Sequence, residues 1–404
     1  MNKKSPKIVI SGYYGFDNCG DEAVLLSIIH CLRKLRSDVK IIVLSGNPEQ
    51  TRKQYGVDAV DRWNLIKVKF ALLGAKLLIS GGGSLIQDVT SARSPVYYLS
   101  IIRLALLMRN KVMIYSQGLG PLTHEKNRKM TGKVFSRCNT ITVRDAGSAD
   151  LLEELGVKKD TKVTSDPVMA LTHKDIFPEG ENIDIRDISS NDAGNALANM
   201  HGDLHRNSVS VARMLNELGI PIISDGERKP LLFVSIRFWK DDSHIPPIAE
   251  CLDSMSSKGW DILLVPAHYP EDAQASAKLR NCMNSKPFII DKCLSATEFL
   301  ALTSLADRVL SMRLHGLICA MAMGTPMLGV SYDPKVDAFM EKAGLSDYCI
   351  SFEDFNAQEA MAMMDALDIT TRDGFESYTQ TMEAHRQEMH KLAWDTARAA
   401  IKLL

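Results

Sequence analysis

Short aliphatic and β-branched runs alternate along this chain with stretches whose apolar positions recur every three or four residues. In the first part the runs fall at 8–12, 39–45, 77–80, 112–116 and 140–143, and helical periods cover 21–35 and 95–108. Strands that alternate with helices predict a parallel sheet with helices on both faces. The pattern breaks over 172–207, where Pro178, Gly180, Gly194 and many polar residues read as an insertion leading into a helix at 209–218. Alternation then resumes, with strands expected at 231–236, 262–265, 288–290, 308–311 and 327–331. A final stretch, 378–404, has helical periodicity and contains neither Gly nor Pro. The expected architecture is α/β, with two Rossmann-like doubly wound domains facing a cleft. Residues 1–170 would form the first domain, 171–225 an insertion and connecting helix, 226–375 the second domain, and 376–404 a helix packing back on the first.

A length of 404 residues is more than one ordinary core accommodates, which agrees with two domains. The formal net charge is −1 and no long basic stretch occurs, so a broad nucleic-acid surface has no support. The eight cysteines are scattered without a C-x-x-C pair, a usage suited to a reducing compartment, and the run at 8–11 is too short for a signal peptide. The longest apolar stretch, 99–108, is about half a membrane span and carries Arg103. A soluble cytoplasmic protein is expected. No H-E-x-x-H, C-x-x-C or G-x-S-x-G pattern occurs, so neither a metal site nor a serine elbow is expected.

Candidate chemistry gathers just after the predicted strands, where open α/β sheets bind ligands. Arg313, His315 and Gly316 follow the strand at 308–311 and open an apolar helix, so a cation and an imidazole sit where a helix N-terminus already favours anions. Arg237 ends the strand at 231–236, and its planar guanidinium could grip a carboxylate through two parallel hydrogen bonds. Arg144 follows the strand at 140–143, beside Asp145. Each cation also has a plainer reading: Arg313 as partner of a carboxylate with His315 merely packed, Arg237 as a surface ion pair, and Arg144 as the partner of Asp145.

The loop 12–22 carries Tyr14, Asp17, Asn18, Asp21 and Glu22, a mixture of aromatic faces, amide and carboxylates suited to a sugar. It fits neither G-x-G-x-x-G nor a P-loop, and Asp21 and Glu22 would in any case favour a helix N-terminus. Gly81, Gly82 and Gly83, followed by Gln87, would let backbone approach a ligand closely. Gln117, opening a second glycine turn, and His268, ending the strand at 262–265, complete the set.

These pieces, in this order, resemble the polysaccharide pyruvyl transferase family, particularly bacterial members that ketalate N-acetylmannosamine in secondary cell-wall polymers. The matching stretches are 12–25, 81–88 with Arg93, Ser94, Tyr97 and Tyr98, 117–121, 143–145, Asp166-Pro167, 235–239, 313–315 and 331–335, whereas 172–207 is longer than the family pattern. The resemblance implies a fold like the GT-B glycosyltransferases, phosphoenolpyruvate as donor, no metal or cofactor, and a sugar acceptor on undecaprenyl pyrophosphate at the cytoplasmic membrane face, and through that acceptor alone a peripheral contact of the protein with the inner face of the membrane. By this carry-over Arg313 and His315 fall on donor-binding residues, with Arg237 and Arg144 as further cations and the first domain on the acceptor side. His315 would be general acid or phosphate partner, and Asp17, Asp21 or His268 the base. Two rivals stay in view. One is a nucleotide-sugar glycosyltransferase, whose usual ribose-binding acid is absent from the helix after Gly316; the other is a non-catalytic glycan-binding protein, which has little use for so many cations.

Overall fold

Strands form where uninterrupted Val, Ile and Leu runs can be buried on both faces, as parallel sheets covered by helices require. The computed structural model describes residues 5–89, 91–177, 210–211, 213–220, 229–367 and 372–404. Contacts divide the chain into two units, 1–170 with 388–404 and 171–387.

In the first unit the strands are β1 (Lys7–Ser11), β2 (Lys40–Ser45), β3 (Asp58–Asp61), β4 (Leu77–Ser80), β5 (Gly83–Ile86), β6 (Lys111–Leu119), β7 (Thr140–Val143) and β8 (Thr161–Val163). They form one parallel sheet in the order β3-β2-β1-β4-β6-β7-β8, with β5 paired to β6. The second unit carries β9 (Leu231–Ser235), β10 (Asp261–Leu264), β11 (Phe288–Ile289), β12 (Arg308–Ser311), β13 (Met327–Ser331) and β14 (Cys349–Ser351), parallel in the order β11-β10-β9-β12-β13-β14. Both are doubly wound, and each order reverses beside its first strand, between β1 and β4 and between β9 and β12. At each reversal the paired strands end on facing serines, Ser11 with Ser80 and Ser235 with Ser311.

The expected strands and the helices at 21–35 and 95–108 are present within one to three residues at most ends, the last as Ser94–Leu107 and the first as Cys19–Leu35. Two boundaries differ for identifiable reasons. The glycine run expected as a loop passes directly into β5 at Gly83, and the strand expected to stop at Ser116 runs on to Leu119. A register shift between Ile114 and Gln117, with Ser116 at φ 45°, bulges β6 and re-aims its last residues. The break expected over 172–207 lies, from residue 178 on, outside the described residues, as does part of the helix expected at 209–218. The last helix, Arg372–Lys402, begins before the expected 378, and its residues from Glu388 on belong to the first unit.

Asp88 fastens the loop after β5. Its carboxylate accepts from the Thr123 N–H at 2.7 Å, the Thr123 hydroxyl, the His124 N–H and the Asn127 amide, tying this loop to the start of helix Glu125–Phe135. Burial would raise its pKa, but these donors override it and hold the carboxyl at about 2. A pKa depressed in the folded state contributes stability that is complete above the unfolded value and is lost as pH falls through the folded one. Asp88→Asn is therefore expected to cost about 2 kcal/mol near neutral pH and to flatten the acid limb of the stability curve, as denaturant titrations from pH 2 to pH 7 would show.

Candidate functional site

In the first unit the ends of β1 and β4 are shaped by Tyr14. The side chain is fully buried, and its ring lies so close to Gly12 and Gly81 that a Cβ there would fall 2.2 Å from Tyr14 Cζ and 2.1 Å from its hydroxyl oxygen. Tyr14 is thus wedged between two backbone segments rather than offered to a sugar, because only glycines leave room for it. Glu22 is likewise enclosed. It accepts from the Gly15 N–H at 2.7 Å and from the Tyr55 hydroxyl, and burial pushes its carboxyl above the usual range. Gln117 is fully buried, its amide donating to Ser80 Oγ at 2.8 Å and to the Gly81 carbonyl at 2.9 Å. Tyr14, Glu22 and Gln117, expected to contact an acceptor, have side chains enclosed behind the sheet edge.

The other loop residues divide by exposure. Asn18 caps helix Cys19–Leu35, accepting from the N–H groups of Gly20 and Asp21. Asp17 is exposed at φ 54° and receives the Gln50 amide at 3.4 Å. Asp21 is half-buried, and its Oδ1 lies 2.7 Å from where a Cβ on Gly83 would stand. Gly82 is buried against Val24 and Pro167, and Gln87 Oε1 accepts from the Val89 N–H.

Arg144, also in this unit, is 6% exposed; its Nη1 donates to Asp166 at 3.2 Å and its Nη2 to Ser84 Oγ at 3.3 Å, with Asp145 at 3.7 Å. The ion-pair alternative describes it, with Asp166 as the nearer acid. A cation that sequence reasoning passed over lies nearby. Arg62 is 3% exposed, donates from Nη1 to the Gly12 carbonyl at 2.8 Å, and packs among Phe16, Trp63, Tyr97 and Tyr98 at 4.4–5.2 Å from the ring centres. Its Nε has no hydrogen-bond partner among the described residues.

The second unit places cations at the ends of β9 and β12, with Tyr332 at the end of β13 beside the first of them. Arg237 follows β9; its Nη1 donates to the Tyr332 hydroxyl at 3.0 Å and its guanidinium lies over the Trp239 and Tyr332 rings. No carboxylate lies within 4.0 Å of it among the described residues, so the surface ion pair is not formed. His244, 1% exposed, has Nε2 at 3.1 Å from the Arg237 carbonyl, and burial lowers its pKa, favouring a neutral ring that donates there.

Arg313 is the N-cap residue of helix Leu314–Met323. Its Nε donates to Asp272 Oδ2 at 2.8 Å and its Nη2 to Asp272 Oδ1, a fork-on-fork pair. Asp272 is 1% exposed and also accepts the N–H groups of Ala267 and His268. Burial pulls against the charge on Arg313, but the Asp272 carboxylate overrides it and raises the guanidinium pKa. Arg313 therefore enters the site already half engaged, with Nη1 the nitrogen these two bonds leave over. His315 stands in the first helical turn, half-buried with Nε2 enclosed. Gly316 lets that turn approach the strand ends, since a Cβ would fall 2.3 Å from Ser311 Oγ. His268 lies 3.7 Å from Glu271. The described residues contain no cluster of His, Cys, Asp and Glu able to hold a metal ion.

Anion-suited groups on adjacent strand ends of a doubly wound sheet are common to several enzyme classes, and comparison with known proteins separates them. A model of the polysaccharide pyruvyl transferase family matches residues 18–334. The chain belongs to this family. Among curated relatives of this chain, the amylovoran biosynthesis protein AmsJ of Erwinia amylovora is 20% identical over 393 residues, covering 84% of this chain and 87% of AmsJ. Similar solved structures include the UDP-GlcNAc 2-epimerase of Neisseria meningitidis bound to UDP-GlcNAc (13% identity, TM-score 0.59, 98% of this chain and 99% of that one). Anabaena Alr3699/HepE in complex with UDP-glucose is similar as well (13% identity, TM-score 0.60, 98% and 100%). At these identities the likeness is one of fold: two Rossmann-like domains of GT-B type.

Proposed function

We propose that this protein moves the pyruvyl group of phosphoenolpyruvate onto two hydroxyls of a sugar, forming a cyclic ketal and releasing phosphate. The observation that carries the reading is Arg237, a guanidinium with no carboxylate partner among the described residues, at the end of β9, beside the β12 end that presents Arg313 and His315. A donor bearing both carboxylate and phosphate needs two such cations.

His315 protonates the methylene carbon of the donor, leaving an oxocarbenium-like centre that one sugar hydroxyl attacks as a base removes its proton. Loss of phosphate, carrying off its bridging oxygen, lets the second hydroxyl close the ring, its proton passing to the departing phosphate. Arg237 and the Nη1 side of Arg313 neutralise the donor carboxylate and the departing phosphate, each well-placed donor contributing about 3 kcal/mol to the transition state. His268, in the same unit as Arg237, Arg313 and His315 and near Glu271, is the candidate base. The acceptor we propose is N-acetylmannosamine in a polymer precursor on undecaprenyl pyrophosphate, handled on the cytoplasmic side.

The deciding experiment follows phosphate release from phosphoenolpyruvate across free and lipid-linked aminosugar acceptors, with mass detection of the added pyruvyl group. Acceptor-dependent release is expected; turnover of a nucleotide sugar with phosphoenolpyruvate untouched would transfer the site to a glycosyltransferase.

A further inference from the structure

Helix Leu65–Leu72 of the first unit presents its apolar side to solvent. Leu65 is 66% exposed, Ile66 70% and Phe70 66%, and Trp63 and Leu73, on either flank, are 62% and 59% exposed. At about 100° per residue, Leu65, Lys69, Leu73, Ile66 and Phe70 fall within one arc of about 140°, opposite the arc of Val68, Ala71 and Leu72 that enters the core. Two hydrophobic faces on so short a helix exceed what one core contact needs. Single exposed leucines are ordinary, but five neighbouring large apolar side chains mark a docking surface.

The charge around this helix names the occupant. From residue 61 to residue 124 the sequence holds eight Lys and Arg residues (Arg62, Lys67, Lys69, Lys76, Arg93, Arg103, Arg109, Lys111) and two acids, Asp88 and Asp61, which accepts the Trp63 N–H, a local net charge of +6 in a chain whose total is −1. Seven of the eight are exposed, the exception being Arg62, and Asp88 is buried with its oxygens engaged. The segment folds so that helix Ser94–Leu107 packs beside helix Leu65–Leu72: Trp63 meets Tyr97 with ring centres 5.2 Å apart, and Asn110, just past the second helix, donates to the carbonyls of Leu72 and Ala75. Lysines set among Trp, Leu, Ile and Phe on one exposed face suit a bilayer surface, where aliphatic and indole groups enter the headgroup boundary and cations meet anionic lipids. No described helix is long and apolar enough to cross a membrane, so contact of this kind would be interfacial.

We infer that this face, Trp63 to Leu73 with its surrounding cations, docks the protein on anionic membrane surfaces. The inference stands on exposure and charge alone and needs nothing from the pyruvyl-transfer reading. It is tested with the full chain and no substrate, by sedimentation with vesicles of phosphatidylcholine alone or with about one-third phosphatidylglycerol. Binding to the anionic vesicles that weakens with salt is expected. Ile66→Ser with Phe70→Ser should cut it at least about tenfold, because both side chains are already solvated in the free protein. Lys67→Glu with Lys69→Glu should remove the preference for phosphatidylglycerol by a similar factor, while Val163→Ser, exposed on β8, should change nothing. Absence of vesicle binding at low salt would overturn the inference. So would a dimer that the Ile66/Phe70 variant dissolves, which would give the face to a second copy, or release of the vesicle-bound protein by single-stranded RNA.

Discussion

His315→Ala is expected to abolish pyruvyl transfer while leaving the fold intact. The imidazole is the acid proposed to deliver a proton to carbon, and losing a positioned general acid costs about 10²- to 10⁴-fold in rate. Helix Leu314–Met323 keeps its apolar residues and Gly316 contact without it, so circular dichroism and the denaturation midpoint should match the parent. The measurement is phosphate release at saturating phosphoenolpyruvate. Turnover within a few-fold of the parent would remove His315 from the mechanism and leave binding by cations as the only role for this edge.

The second large effect is expected from a residue that touches no donor in this scheme. Asp272→Ala leaves the Arg313 guanidinium partly buried without its carboxylate and strands the N–H groups of Ala267 and His268. Breaking one side of such a pair costs about 3 kcal/mol of stability. Activity should fall as well, chiefly as a raised KM for phosphoenolpyruvate, because Arg313 loses the contact that aims it. Arg313→Met on top of Asp272→Ala should return much of the stability and none of the activity, a split that separates positioning from folding. If the double variant regained turnover, Arg313 would hold the loop at His268 and nothing more.

The sheets were legible in the sequence because parallel strands buried on both faces are nearly continuous apolar runs, and β4, β7, β12 and β13 could be bounded to the residue. The short outer strands β3, β8 and β14 were not. β3 reads Asp-Ala-Val-Asp and β8 Thr-Lys-Val, too brief and too polar to stand out, and β5 hides behind glycines whose purpose is to admit Tyr14 and Asp21. At the site, Arg237, Arg313 and His315 could be named from their place after strands. Asp272 could not: 41 residues separate it from Arg313, and in sequence it is one more acid at a helix start. Arg62 followed an unrecognised strand, so its cage of Phe16, Trp63, Tyr97 and Tyr98, drawn from three separate segments, had no local signature. The loop 12–22 was read for its residue types, which carry no signal of the burial that encloses Tyr14 and Glu22.

The final helix ends in the unit where the chain began. Ser165 donates to the carbonyl of Met389, His390 faces the carbonyl of Met169 at 2.9 Å, and Trp394 donates to that of Ala170. During synthesis residues 1–170 thus leave the ribosome with their strands complete but lacking the packing of 388–404, whereas 171–387 need nothing made after them. The half made earliest is finished last, and a fragment cut after residue 170 would reproduce the nascent state instead of a domain.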